Sequence, residues 1–305
     1  MNLFTRIAPI CLLLAASSCS EAASAPTGVE APPTSETFTY APVLDKRFKH
    51  KQRRYEEVSI PGSPMRRSEE FIMEWDVVTK QESNLFRATQ RLVGLKININ
   101  GLELLKGHEI KDDMVAIDIV TDKDSNVVDV RGTEQLSQAL VALAAPEAQP
   151  QVARIFSADR LKALAVLRSL ERHADFVGRP TKVGSQWMAN DAATGGTKQI
   201  RVVAEEPCGT QTCLRVIREY DADKQAIRDS VAAQVKADVE AKGGDPSKVD
   251  VVGMDIKHED KLLIDPRSME YHGATFIQNA TVAVAGPEGQ MQVAFKLERD
   301  SAYQY

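Results

Sequence analysis

Aromatic residues are scarce in this chain. Phe, Trp and Tyr make up 6% of its 305 residues, so stacking platforms for bases or sugars do not dominate its surface. A basic excess is missing too. The formal net charge is -5, the wrong sign for a protein that must neutralise phosphates, and nucleic acid is not an expected partner. No window after the N-terminal apolar run is apolar enough to form a membrane-spanning helix, which needs about 20 residues. Catalytic signatures are absent as well: there is no G-x-S-x-G, H-E-x-x-H, phosphate-loop or dinucleotide pattern. The five histidines, His50, His108, His173, His258 and His272, are scattered, and none has metal-ligand spacing to another. The expectation is no cofactor, no metal and no nominated catalytic residue.

What is present is ordinary globular material, 43% hydrophobic and 27% charged, enough for a sizeable core. Ahead of it stands the run "IAPICLLLAASSCS", residues 7 to 20, with Arg6 the only charge before it. Its apolar part is too short to cross a bilayer, and small residues follow it, which is the layout of an export signal. The end of the run, "AASSC" at 15–19, resembles the lipobox of bacterial lipoproteins, with Ser17 and Ser18 in the small-residue positions and Ala16 where leucine is commonest. The resemblance implies cleavage before Cys19, a thioether-linked diacylglycerol on that cysteine and acylation of its new amino group. The absence of Asp at position 20, where Ser20 stands, implies by the same resemblance an outer-membrane address facing the periplasm. Several acyl chains anchor stably where one does not.

Residues 20–36, "SEAASAPTGVEAPPTSE", cannot bury enough surface to order themselves and read as a tether. Its r.m.s. reach would be about 20–25 Å. The expected organisation is a signal peptide at 1–18, the lipidated cysteine and tether at 19–36, and one globular domain at 37–305. That domain opens on a basic strip in which Lys46, Arg47, Lys49, Lys51, Arg53 and Arg54 fall within nine positions. The strip is either a contact for anionic headgroups near the anchor or a solvated face.

Alternation then dominates. "SEEFIMEWDVV" puts Phe71, Met73, Trp75 and Val77 on one face, and Leu95, Ile97 and Ile99 repeat the pattern. Both are half-buried antiparallel strands. "DMVAIDIVTDKDSNVVDVRG" reads as a hairpin. Within it Asp122, Asp124 and Asn126 alternate as a calcium loop begins, but Val127 and Thr133 occupy its glycine and glutamate positions. An ordinary turn is the simpler account. The period changes at Thr133, an expected N-cap before Leu136, Leu140 and Leu143, and again at Ser157, which caps a helix running to Gly178. After a strand pair at about 198–220, Ile227, Val231, Val235 and Val239 mark a helix at 222–242 with a narrow apolar stripe, expected at the surface. Strands are expected at 249–258, 261–265, 269–284 and 290–299. The fold class is α+β: an antiparallel sheet, curved or a half-barrel, with two mid-chain helices and one inserted surface helix.

Of four cysteines, Cys11 is expected to leave with the signal; the resemblance implies lipid on Cys19, the alternatives being an ordinary signal cleaved elsewhere or a disulfide at Cys19, which would leave an odd cysteine behind. Cys208 and Cys213 then form an even pair, in an exported protein most simply a disulfide across a β-hairpin. The half-barrel architecture resembles envelope lipoprotein-carrier and lipid-binding proteins. That likeness implies a non-catalytic protein binding an apolar or amphipathic ligand or an envelope partner. An assembly-accessory role through surface contacts and an unrecognised hydrolase are the alternatives.

Overall fold

Alternating apolar residues produce strands through most of the chain. The computed structural model describes Ala23–Ser24 and residues 36–304, apart from 62, 65, 110–115, 147–148, 192–195, 210, 222, 242, 244 and 287–288. The signal sequence, Cys11, Cys19 and nearly all of the tether lie outside the described residues. The strands are β1 (Ala23–Ser24), β2 (Arg47–Ser59), β3 (Arg66–Glu82), β4 (Leu85–Ile99), β5 (Leu102–Glu109), β6 (Ala116–Thr121) and β7 (Val127–Arg131), followed after three helices by β8 (Gln186–Asn190), β9 (Thr197–Cys208) and β10 (Gln211–Asp221). The helices between β7 and β8 are α1 (Thr133–Leu143), α2 (Gln149–Ile155) and α3 (Ala158–Phe176). Helix α4 (Lys224–Ala241) then leads to β11 (Asp250–Ile264), β12 (Tyr271–Gly286) and β13 (Gly289–Gln304).

One sheet holds all the strands, in the order β7-β6-β4-β3-β2-β13-β12-β11-β10-β9-β8, with β5 beside β4 and β1 beside β13. Every neighbour pair is antiparallel except β1 with β13. Laid flat, eleven strands would span about 48 Å, at roughly 4.8 Å for each of ten spacings. Yet α3, a cylinder about 10–12 Å across, touches both edge strands. His173 Nδ1 and Ser169 Oγ meet the carbonyls of Asp124 and Ser125 in the β6–β7 turn. At the other edge, Trp187 Nε1 on β8 donates to the Asp175 carbonyl, 2.8 Å away. The sheet must therefore curve until its free edges face one another across α3. This is the curved, unclosed antiparallel sheet that the alternation implied.

A strap at residues 37–45 crosses the same gap. Phe38 N–H donates to the Arg179 carbonyl at 2.9 Å, and its ring lies 5.1 Å from Phe176 and 6.3 Å from Trp187. Tyr40 reaches the opposite side, its hydroxyl 2.9 Å from Thr121 Oγ1 and its ring edge-on to Phe86.

The core lies on the inner face. Phe71, Trp75, Val77, Leu95 and Ile97 pack there under Leu136, Leu140, Val152, Ile155 and Phe156 of the helical segment. At the other end of the long strands, α4 seats Ile227, Val231, Val235 and Val239 on Val251, Ile256, Val282, Val284, Val293 and Phe295. Gln225, Asp229 and Glu240 face out, so α4 is a surface helix held by one narrow stripe, as its periodicity implies.

Three local expectations change. The mid-chain helices number three, because "QPQVARI" adds the short helix α2, with Val152 and Ile155 buried. The N-cap of α1 is Gly132, not Thr133. Gly132 has φ +82°, and a Cβ there would sit 2.3 Å from the Ala116 carbonyl oxygen, so only glycine fits the turn. The strands expected at 249–258 and 261–265 are a single strand, β11. The charged triplet Glu259-Asp260-Lys261 looks like a break, but Glu259 and Lys261 pair outside at 2.8 Å while Asp260 turns inward to an arginine.

Cys208 and Cys213 form the hairpin disulfide between β9 and β10, with Cα atoms 5.6 Å apart. Replacing both with Ala is expected to lower stability by about 2 kcal/mol, since the closed ring is small. The urea midpoint measures this, and an unmoved midpoint would show that the ladder alone holds the hairpin.

Candidate functional site

Between the two helix-covered ends, the inner face turns polar. Alternation sets Lys198 in line with Ile200 and Val202 on β9, and Arg218 with Leu214 and Val216 on β10; on β11, His258 and Asp260 fall in line with Leu262 and Ile264. All four polar side chains are buried. From above, α3 contributes Asp175 and Glu171, also buried. Arg218 Nη1 donates to Asp175 Oδ2 at 2.8 Å, and its Nε donates to Asp260 Oδ2 at 2.9 Å. Lys198 Nζ lies 2.9 Å from Asp175 Oδ2 and 3.8 Å from Glu171. Burial opposes the charge on Arg218, but Asp260, Tyr220 and Asp175 outweigh it and hold the guanidinium protonated. Burial pushes the Glu171 carboxyl up. The group is an ion network that fastens α3 to β9, β10 and β11, although among the described residues Asp175 Oδ1 and Glu171 Oε1 have no hydrogen-bond partner.

Further buried polar atoms without partners stand beside the network. His258 is 8% exposed and Gln278, opposite it in register on β12, is 4% exposed. Among the described residues, neither ring nitrogen of His258 nor Oε1 of Gln278 has a hydrogen-bond partner. Burial pulls the His258 pKa down to about 4. The Tyr220 ring lies edge-on at 4.0 Å and the Phe276 ring at 5.7 Å, so the imidazole is walled by aromatics. Each buried polar atom without a partner costs about 1–3 kcal/mol. Such groups are rare in folded proteins and are commonly accounted for by function or by bound water or ligand.

A cleft of about 530 Å³ reaches this spot. The β10–β11 ladder ends at Glu219 and Glu259. Beyond it β10 stays paired with β9 as far as Asp221 and β11 stays paired with β12, but the two strands no longer pair with each other. The wall is Tyr220, Asp221 and Lys224 on one side and the β11 stretch from Asp255 to Glu259 on the other. Glu219 and, from β12, Ile277 and Asn279 complete it, so most of the wall belongs to the outer face of the sheet, with Ile256, His258 and Tyr220 its inward-facing members. A second cavity, about 80 Å³ between the strap, α3 and β4, is lined by Tyr40, Thr121, Ser169 and Arg172 among others. Ligand sites of drug-like size need about 300–1,000 Å³, so of these two only the first has room.

The residues singled out by sequence lie elsewhere. The basic strip is not one patch. Lys49, Lys51 and Arg53 point outward, where Lys51 pairs with Glu74 at 2.6 Å and Arg53 with Glu70 at 2.8 Å. Arg54 turns to the inner face and pairs with Glu56. Lys46 and Arg47 are exposed at the start of β2. Both carboxylate oxygens of Asp122 are engaged within the turn by Asp124 and Asn126, the ordinary account of that loop. His272 packs against the Cys208–Cys213 bridge, the three ligand-capable atoms lying within 4.8 Å of one another, with the sulfurs bonded together. Alternation missed Lys198, Arg218, Asp260 and His258 as a group. The available signal was a charged residue in phase with a buried apolar row.

No protein-family model matches the chain, and no curated protein matches it in sequence. Among solved structures, DynF from the dynemicin biosynthesis pathway of Micromonospora chersina aligns over 93% of this chain and 95% of its own, at 9% identity and a TM-score of 0.19. OccK5 of Pseudomonas aeruginosa aligns over 87% of this chain and 100% of its own, at 6% identity and a TM-score of 0.27. Superpositions this poor establish neither a shared fold nor a shared activity.

Proposed function

We propose that this chain is a non-catalytic envelope lipoprotein, anchored through acylated Cys19, that binds an amphipathic ligand in the cleft between β10 and β11. The observation that carries the binding reading is the cleft itself: about 530 Å³, where Ile256, Ile277 and Tyr220 offer apolar surface among charged side chains, with the buried His258 imidazole beside them. Concave sites with a few convergent polar groups on an apolar wall are the usual form of a small-molecule site. Among the described residues, no Ser, Cys or Thr lines the cleft to act as a nucleophile beside His258, which favours binding over acyl transfer. The anchor reading rests on the signal and its cysteine, and the tether would leave the domain free to meet ligand above the membrane.

Two measurements test it. Native mass spectrometry of full-length protein extracted from its own membranes should show a one-to-one small-molecule adduct. Protein that flies bare, and that also takes up no added amphiphile, overturns the binding reading. Cys19→Ala should move the protein from the membrane to the soluble fraction, and a variant that stays with the membrane overturns the anchor.

A further inference from the structure

We infer that the Cys208–Cys213 hairpin, once its disulfide is reduced, is a three-donor site for Cu(I), with His272 as the third ligand. The site shares no residue with the cleft. Three buried side chains meet there: one ligand-capable atom from each of Cys208, Cys213 and His272 lies within 4.8 Å of the other two, and the residues are 3%, 0% and 5% exposed.

The backbone brings them together. In the β9–β10 ladder Cys208 is paired with Gln211 and Cys213 with Glu206, and the two cysteine Cα atoms stand 5.6 Å apart. His272 arrives from β12, across β11. The β11–β12 register passes from Leu263 opposite Gly273 to Ile264 opposite Tyr271, so His272 is the extra residue of a β-bulge. A bulge re-aims a side chain that strict alternation would send elsewhere. Here two consecutive residues are buried, Tyr271 in an apolar cluster and His272 against the sulfurs. Gln211 steadies the ring, its Nε2 lying 3.2 Å from His272 Nε2, and contacts of this kind orient metal-bound imidazoles.

The donor set chooses the metal. Two thiolates and an imidazole suit Cu(I) or Zn(II) and not the hard cations. Zinc takes four ligands, the fourth often a water. Among the described residues no fourth His, Cys, Asp or Glu joins the group, and its burial leaves little room for water. Cu(I) is complete with three donors. A trigonal site with bonds of about 2.0–2.3 Å sets its donors about 3.5–4 Å apart, which small side-chain rotations reach from this arrangement.

With the bridge closed the sulfurs hold each other and the site is shut. A dithiol reductant opens it: two electrons and two protons pass to the bridge, two thiols form, and the reductant closes its own disulfide. Cu(I) then displaces both thiol protons and keeps its oxidation state. The hairpin outlasts the loss of a small ring, about 2 kcal/mol, because β10 remains laddered to β9 on one side and β11 on the other.

The test compares two preparations of the full-length chain. One is left oxidised. The other is reduced anaerobically with dithiothreitol in urea and returned to buffer free of both. Each is titrated with Cu(I) in competition with the chelator bathocuproine disulfonate. Any thiol outside the hairpin is common to both and cancels. The reduced chain should take up one Cu(I) at least about a hundredfold more tightly than the oxidised chain, since a contact that merely orients a ligand is worth about 10–100-fold and here two ligands are gained. X-ray absorption should show two sulfurs and one nitrogen on the copper. Reduced His272→Phe should bind at least about tenfold more weakly than reduced wild type. Equal affinity in the two preparations, a shell of sulfur alone, or a His272→Phe variant that binds as tightly as wild type overturns the inference. So does a reduced chain that fails to regain the circular dichroism spectrum of the oxidised one, because the site needs the folded hairpin.

Discussion

Lowering the pH from 7 to 4 is expected to destabilise the folded domain by about 6 kcal/mol through two buried histidines alone. His258 and His272 each fall from the ordinary 6.5 to about 4 in the fold, chiefly because burial disfavours the imidazolium. The unfolded chain therefore binds more protons than the folded one between pH 6.5 and 4. Stability must fall as pH drops through that window. Each histidine contributes about 3 kcal/mol at pH 4, where the unfolded ring is charged and the folded one half so. The groups around His258 act in both directions: Asp191 raises its affinity for a proton, and Arg218, Arg299 and Lys198 lower it. Around His272, Asp265 raises it and Lys46 lowers it.

Glu171 works against this trend. Its carboxyl is raised in the fold by burial, so the stability tied to its proton is present at low pH and is lost as pH rises above the unfolded carboxylate range. The net slope from pH 6.5 to 4 sets two imidazoles against Glu171, and near the bottom of the window the imidazoles are joined by carboxyls that hydrogen bonds hold low in the fold, Glu70, Asp122 and Glu206 among them. Urea midpoints taken every half unit will read it. The variant His258→Phe with His272→Phe should flatten most of the slope, because neither replacement takes up a proton. A wild-type midpoint that does not move between pH 6.5 and 4 would show that both rings accept protons without cost.

The sheet was legible in the sequence because strand periodicity is two and the inner rows are apolar. Phe71, Trp75 and Val77 on β3 and Leu95 and Ile97 on β4 announced their face with no help from tertiary context. The disulfide followed from counting cysteines. The cleft was not legible, because it arises where one ladder stops and its neighbour runs on. That event depends on β11 continuing past Glu259, back toward Asp250, while β10 gives way to α4. The ion network was half legible. Lys198 and Arg218 are in phase with buried Ile200 and Val216, which marks them as inward. Their shared partner Asp175 comes from a helix, 43 positions before Arg218, and nothing local links helix to strand. The same limit explains the misread break in β11, where Asp260 looked like a turn residue only because Arg218 is distant in sequence.

Asp175→Ala is expected to cost about 3–5 kcal/mol, the penalty for breaking a buried ion pair from one side. Asp175 is 0% exposed and its Oδ2 serves two cations, Arg218 at 2.8 Å and Lys198 at 2.9 Å. Removing it leaves Arg218 with Asp260 but strands Lys198, whose next carboxylate, Glu171, is 3.8 Å away. Exposed pairs such as Lys51 with Glu74 are worth no more than about 1 kcal/mol, so the contrast between the two kinds of site is itself measurable. The loss should also be local in its dynamics. Asp175 ties α3 to β9 and β10, and α3 bridges the free edges, so amide exchange should rise first in α3 and β8 and last in β12 and β13. The double replacement Asp175→Leu with Lys198→Met should recover much of the stability, because apolar groups of similar volume need no desolvated partner. A single Asp175→Ala variant that loses less than about 1 kcal/mol would mean that the network is not what holds α3 across the gap.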